Sequence, residues 1–318
     1  MMKKLTLILV SLLALGAVKA SAWGWDHKLI CYVAQNHCTD NTMKVIERYL
    51  DVPLHDVGLW MDHFRSRAWV KQDWSDSPEY TMTSLWHAVS VDENFYPLMK
   101  SNRPDGNGDG FGALLRCIDI LKDYRNQTDS TVVVNLKLVC HLVGDIACPG
   151  HILHSFSKEE HDPMGGGLAA GYGKWKYTYN GKSMTLHALI DAVALNTHPE
   201  FNRNLQKYAA YLDTCTPEQK REIADQPLDL WLQGLAKDSK QIFEWDRPGA
   251  ILDQSWYLEH EEYFFRFLRS ASYKLADVLN ELFDPVSSWL PGRVWPSAST
   301  KTMCGLWAVT RQVSAVLC

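Results

Sequence analysis

The residues best placed to do chemistry fall in two short segments, His141-Leu-Val-Gly-Asp145 with His151 six residues further on, and His187-Ala-Leu-Ile-Asp191. Residues four apart on a helix lie one above the other, so each His/Asp pair aims two donors at one point. Neutral imidazole and carboxylate are both zinc ligands. Asp145 stands in an apolar stretch, where a carboxylate without a cation is costly to bury. Pro149-Gly150 ends the helix just before His151 and turns that imidazole back. Upstream, His27, Asp62 and His87 add three donors in otherwise apolar surroundings. Each of these alone reads as a buried structural polar residue; together with the two pairs they predict a metal centre. Arg65 follows Asp62 by one turn on the same face, and its planar guanidinium suits a phosphate. His154 reads as a supporting residue.

The start of the chain bears on the same centre. Met1 to Lys4 is a short positive region, Leu5 to Val18 is apolar, and Ala20-Ser21-Ala22 is a small-residue cleavage site. The apolar run is too short to span a bilayer comfortably. The pattern predicts a signal peptide over residues 1–22, a mature chain beginning at Trp23, and a secreted or periplasmic protein without a stable membrane anchor. The free α-amine and carbonyl of Trp23 would then form a chelating pair four residues from His27. Removing residues 1–22 takes away Lys3, Lys4 and Lys19 and no acid, so the formal charge moves from −5 to −8. That sign excludes a protein that holds nucleic acid by a basic surface. An anionic ligand would have to meet its positive charge in bound metal.

All eight cysteines lie in the mature chain, and secretion permits disulfide bonds. Cys31 and Cys38 are separated by ~10.5 Å of helical rise, too far for a bridge between them. The chain has no C-x-x-C pair, so a cysteine-based zinc site is not expected.

Helical periodicity dominates the elements that must carry these donors. It predicts helices over 27–37, 41–50, 54–66, 111–125, 133–147, 185–195, 201–212, 217–223, 228–244 and 259–283. Thr39-Asp40 and Thr216-Pro217-Glu218 supply start signals. Residues 173–183 alternate around Asn180-Gly181 and predict a small hairpin, within a long Gly-rich connection over 155–183. Asp105-Gly-Asn107-Gly-Asp109-Gly110 resembles half a calcium loop, but Arg116 stands where a bidentate Glu is needed, so it reads as a polar turn capping the next helix. The pattern is that of a single domain over 23–284. Residues 285–318 form a tail rich in Ser, Pro and Trp, ending in an apolar stretch interrupted by Arg311.

These residues resemble a known family. Trp60-Met61-Asp62-His63-Phe64-Arg65, Ser84-Leu85-Trp86-His87, His141-Leu142-Val143-Gly144-Asp145, Pro149-Gly150-His151 and Leu186-His187 with Asp191 are similar to the motifs of the trinuclear-zinc single-strand nucleases, the S-one/P-one type. The resemblance covers roughly residues 23–284. It implies an all-α fold, a single helical domain of the zinc phospholipase C/nuclease type. It implies three zinc ions: one on Asp62, His87, His141 and Asp145; one on the amine and carbonyl of Trp23, His27 and the bridging Asp145; one on His151, His187 and Asp191. Arg65, Asp62 and Asp145 would be the catalytic residues, with Arg65 against the developing phosphorane charge. The implied function is a secreted zinc-dependent endonuclease and 3′-nucleotidase, hydrolysing P–O3′ bonds in single-stranded DNA and RNA. The alternatives are a phospholipase C-like lipid phosphodiesterase and a silent zinc-binding protein. The chain departs from the family pattern at several points. His27 comes one residue early after Trp23. Ala88 replaces the base-stacking Phe, Ser90 an acidic base contact, and Ile190 an aromatic. The metal set is kept and the nucleobase clamp is not.

Overall fold

The computed structural model describes residues 24–62, 86–98, 109–154, 176–245 and 248–285. Trp23 and Arg65, the calcium-like residues 105–108 and the tail beyond 285 lie outside them.

The fold is all-α. Its centre is helix α1 (Gly24–His37) packed on the C-terminal helix, Glu261–Phe283, with Asp129–Ala147 against both. The apolar faces of these three helices meet in one core containing Leu29, Ile30, Val33, Val139, Leu142, Val143, Leu268, Leu275 and Leu279. In chain order the remaining helices are α2 (Asp40–Tyr49), α3 (Leu54–Val57), α4 (Gly110–Lys122), α5 (Asp129–Ala147), α6 (Leu186–Ile190), α7 (Val193–Thr197), α8 (Leu205–Leu212), α9 (Pro217–Ala224), α10 (Leu228–Ser239), α11 (Gln254–Glu259) and α12 (Glu261–Phe283). Helix α5 is apolar and long enough to cross a membrane, with a mean hydropathy of 1.4, but 72% of that stretch is buried in the protein. It is the core helix, and it carries His141 and Asp145.

The caps follow the sequence signals. Thr39 and Thr128 accept from the backbone N–H three residues on, at α2 and α5. Thr216 and Gln219 form a capping box at α9, with Pro217 in the first turn. Asp109 caps α4, accepting from Phe111 and Gly112, so this end of the calcium-like motif is a helix cap.

Two small sheets complete the fold. β1 (Val89–Val91) and β2 (Ile152–His154) pair in parallel, Val89 opposite Ile152. β3 (Lys176–Tyr179) and β4 (Lys182–Thr185) form the expected hairpin, with β5 (Ile251–Leu252) along its other edge. Asn180 and Gly181 both take positive φ, 48° and 74°, as a tight hairpin turn of this kind requires.

Several predicted helices are interrupted. The one expected over 185–195 breaks at Asp191 and Ala192 into α6 and α7. Of 54–66, the described part is α3, a turn at Gly58 and a helical segment at 60–62. The turn lets the chain pass α1: a Cβ on Gly58 would lie 2.8 Å from the His27 carbonyl. Helix α10 tightens into a 3-10 turn at Lys240–Glu244, and 201–212 is a 3-10 turn followed by α8.

Candidate metal centre

His27 lies in the first turns of α1, and His141 and Asp145 lie on the buried face of α5. His87 precedes β1 by two residues and His151 precedes β2 by one. The parallel pairing of these strands brings both histidines to the same end of the ribbon. His187 and Asp191 close the group from α6, with Asp191 at its C-terminal cap. Asp62 enters from the segment after α3. All are buried except His187, which is half-buried.

Asp145 is the hub. Its Oδ2 lies 2.8 Å from His87 Nδ1 and 3.0 Å from His141 Nε2. Its Oδ1 lies 3.2 Å from His27 Nε2 and 3.0 Å from His151 Nδ1. Asp62 Oδ1 faces the first pair, 3.8 Å from His87 and 4.0 Å from His141. On the other side of His151, its Nε2 lies 2.8 Å from His187 Nε2 and 3.5 Å from Asp191 Oδ1. His187 Nε2 is 3.1 Å from Asp191 Oδ2.

Two features aim the rings. His141 Nδ1 donates to the Gly58 carbonyl at 2.7 Å, which leaves Nε2 to face the cluster. Gly144 lets His27 lie flat against α5, since a Cβ there would sit 2.4 Å from His27 Nδ1. The His27 and His141 rings stack with centroids 4.0 Å apart.

The electrostatics call for concentrated positive charge. Burial works against charging His141, but Asp145 and Asp62 override it and push its pKa to about 9. Burial likewise opposes charge on His151, and Asp145 and Asp191 raise it to about 10. Burial and the neighbouring His141 hold His27 below its ordinary value. Burial would raise Asp145, yet His141, His151 and His87 hold it well below the carboxylate range. Protonated imidazoles packed this closely repel one another. Divalent ions would satisfy the carboxylates and let nitrogen face nitrogen, so the donor set fits metal better than protons. Among the described residues, three groups have donor atoms within 4.8 Å of one another: His27, His141 and Asp145; Asp62, His87 and His141; Cys148, His151 and Asp191.

The described candidates from the sequence, His27, Asp62, His87, His141, Asp145, His151, His187 and Asp191, therefore come together. His154 does not join them. It faces Ser239 Oγ at 3.1 Å, and burial, then nearby Lys240, lower it to about 4. Two residues at the centre were not expected. Cys148 enters the third group although the chain has no C-x-x-C pair. Asp26 is buried, and burial raises its carboxyl well above the usual range, with the nearby backbone of Ala194 and Val193 working against the rise and the like charge of Asp191 adding to it. Ala88 and Ser90 are both buried in or beside β1, each about 1% exposed. Neither side chain is open to a nucleobase.

A family model for the S1/P1 nucleases matches residues 23–284, and the chain belongs to that family. No curated protein matches the chain significantly. The family places it among zinc-dependent hydrolases that cut phosphodiester bonds in nucleic acid, typically as secreted proteins. The buried His/Asp groups supply donors for such metals.

Proposed function

We propose that the protein is a secreted, zinc-dependent endonuclease and 3′-nucleotidase that hydrolyses P–O3′ bonds in single-stranded DNA and RNA. The observation that carries this reading is the division of Asp145, with one oxygen toward His87 and His141 and the other toward His27. A carboxylate so placed suits a bridge between two ions. Asp62, His87, His141 and Asp145 would hold the first zinc. His27 and Asp145, with the amine and carbonyl of Trp23, would hold the second, and His151, His187 and Asp191 the third. When bound, the paired ions would supply an activated water and polarise a phosphoryl oxygen, and the third would stabilise the leaving 3′-oxygen.

The chain's own groups make that chemistry specific. The Gly58 carbonyl fixes the His141 tautomer. Asp145 holds His151 Nδ1 while its Nε2 faces the third site. Burial excludes bulk water and strengthens every charge interaction at the centre. Arg65 would place its guanidinium against the charge that develops on phosphorus. Signal-peptide cleavage before Trp23 would create the amine ligand, so export and activation would be one event. With Ala88 and Ser90 buried, the protein would bind bases weakly and with little preference.

The test is hydrolysis of single-stranded DNA, RNA, 3′-AMP and phosphatidylcholine by the mature protein, before chelation, after it, and after zinc is restored. Zinc-restored cleavage of the strands and of 3′-AMP is expected. Headgroup release from the lipid with no nucleotide hydrolysis would overturn the reading in favour of the phospholipase branch. Zinc-replete protein inactive on all four would overturn it in favour of a silent binding protein.

A further inference from the structure

We propose that Cys148 is a thiolate ligand at the third site, completing a four-residue set with His151, His187 and Asp191. This rests on the metal-centre reading above and deepens it. Cys148, His151 and Asp191 have donor atoms within 4.8 Å of one another, close enough to share an ion. Donors at ordinary zinc distances around a tetrahedron lie roughly 3.4 Å apart for N and O, and roughly 3.6 Å apart for S and O. Cys148 Sγ lies 3.9 Å from Asp191 Oδ1, and His151 Nε2 lies 3.5 Å from the same oxygen. His187 Nε2 is 3.1 Å from the other carboxylate oxygen.

The backbone explains how a cysteine arrives there. Helix α5 ends at Ala147, and Cys148 turns to extended geometry, φ −67° and ψ 121°, ahead of Pro149. Its side chain therefore leaves the helix face and turns toward the 3-10 turn at Pro149–His151. Gly150 shows how close the parts are. A Cβ added to it would meet Ile190 Cδ1 at 3.3 Å and come into ordinary contact with His187 Cδ2 at 3.4 Å and Cys148 Sγ at 3.6 Å, so His187 and Cys148 both flank this residue. Cys148 is fully buried. Another buried thiol, Cys31, directs its Sγ to the Cys140 carbonyl instead.

The consequence is a change in the character of the third ion. Three protein ligands leave a position open for substrate, whereas four close a tetrahedral site. A thiolate also adds negative charge and selects softer ions. The third ion would be held more tightly, would prefer cadmium to harder metals, and would reach the leaving oxygen only by taking it as a fifth ligand, as a weaker Lewis acid.

The test is cobalt substitution of the mature full-length chain, read by absorption and metal content. Cobalt bound by the protein should show a sulfur-to-metal charge-transfer band in the near ultraviolet. Cys148→Ser should lose the band and at least about tenfold in affinity for one ion, while Cys140→Ser keeps both. Cadmium NMR of the unmodified protein reads the same ligand without a variant: one of its resonances should move strongly downfield. Bound cobalt without a thiolate band, or a band that survives Cys148→Ser, overturns this proposal and leaves the metal centre standing. Protein that takes up no cobalt or cadmium overturns both.

Discussion

Helix α1 carries a cluster of ionisable side chains at each end, and the two are built on opposite rules. At its start, His27 belongs to a group in which imidazole faces imidazole. His151 and His187 bring Nε2 to Nε2 at 2.8 Å, and His141 Nε2 meets His87 Nδ1 at 3.3 Å. At its end, ~15 Å along the axis, His37 Nε2 lies 2.8 Å from Asp213 Oδ2. Asp213 Oδ1 accepts from Lys220 and from the Tyr273 hydroxyl, each at 2.8 Å. Burial alone would raise Asp213, but His37, Lys220 and Tyr273 hold its carboxyl well below the usual range. There, every contact joins a donor to an acceptor, and the group is complete by itself. At the first cluster the acceptors converge on one another. Both clusters set His beside Asp; the second adds the donors Lys220 and Tyr273, and with them every lone pair of Asp213 that the cluster uses finds a proton.

The contrast can be broken most sharply at Asp145. Changing it to Asn should remove two ions per chain together and lower kcat/KM at least about 100-fold. Elemental analysis alongside kinetics checks this, and a variant with undiminished metal would end its role as a bridge. Next is the N-terminus. One extra residue ahead of Trp23 should cost the second ion and about 100-fold in activity, since the amine would no longer reach it. Equal activity in extended and cleaved protein would remove Trp23 from the centre.

Gly144→Ala should act through packing alone, pushing the His27 ring aside and weakening zinc binding by about 10–100-fold, measured by competition with a chelator. At the other cluster, Asp213→Asn should leave metal content and kcat unchanged and cost about 1–2 kcal/mol in denaturant unfolding. The sign of its pH effect follows from the depressed folded pKa. The stabilisation is present above the unfolded carboxylate value of about 3.9. It is lost as pH falls from there through the folded value. The variant should therefore show a shallower loss of stability below about pH 4. The smallest effect is expected at Gly234, exposed on α10 with nothing within 4 Å of an added Cβ. Gly234→Ala should stabilise by about 0.5–1 kcal/mol with metal and activity untouched. Together with Gly144→Ala it separates a glycine that makes room for the His27 ring from one that makes room for nothing.

Much of this was legible in the chain. The helical period, the caps at Thr39 and Thr216, and the Asn180-Gly181 turn depend on neighbours within a few residues, and they stand where the sequence puts them. So do the His/Asp pairs at i and i+4, whose alignment is a property of any helix. What was not legible depends on contacts between distant segments. The break at Asp191 is one such feature, for the periodicity continues across it. The meeting of His87 and His151 is another, because it depends on the parallel pairing of β1 and β2 across more than sixty residues of chain.

By itself, then, the sequence determined the donor types, the helices that carry most of them, and the apolar surroundings that make an uncompensated charge there expensive. Only the tertiary structure decided which ring nitrogens converge, which oxygen of Asp145 faces which side, and that Cys148 stands beside His151 and Asp191. The physical reason is one of range. Secondary structure is chosen by local sterics and hydrogen bonds, which the spacing of residues encodes. A ligand set is chosen by where helices cross and strands pair, and that is settled by the packing of the whole core.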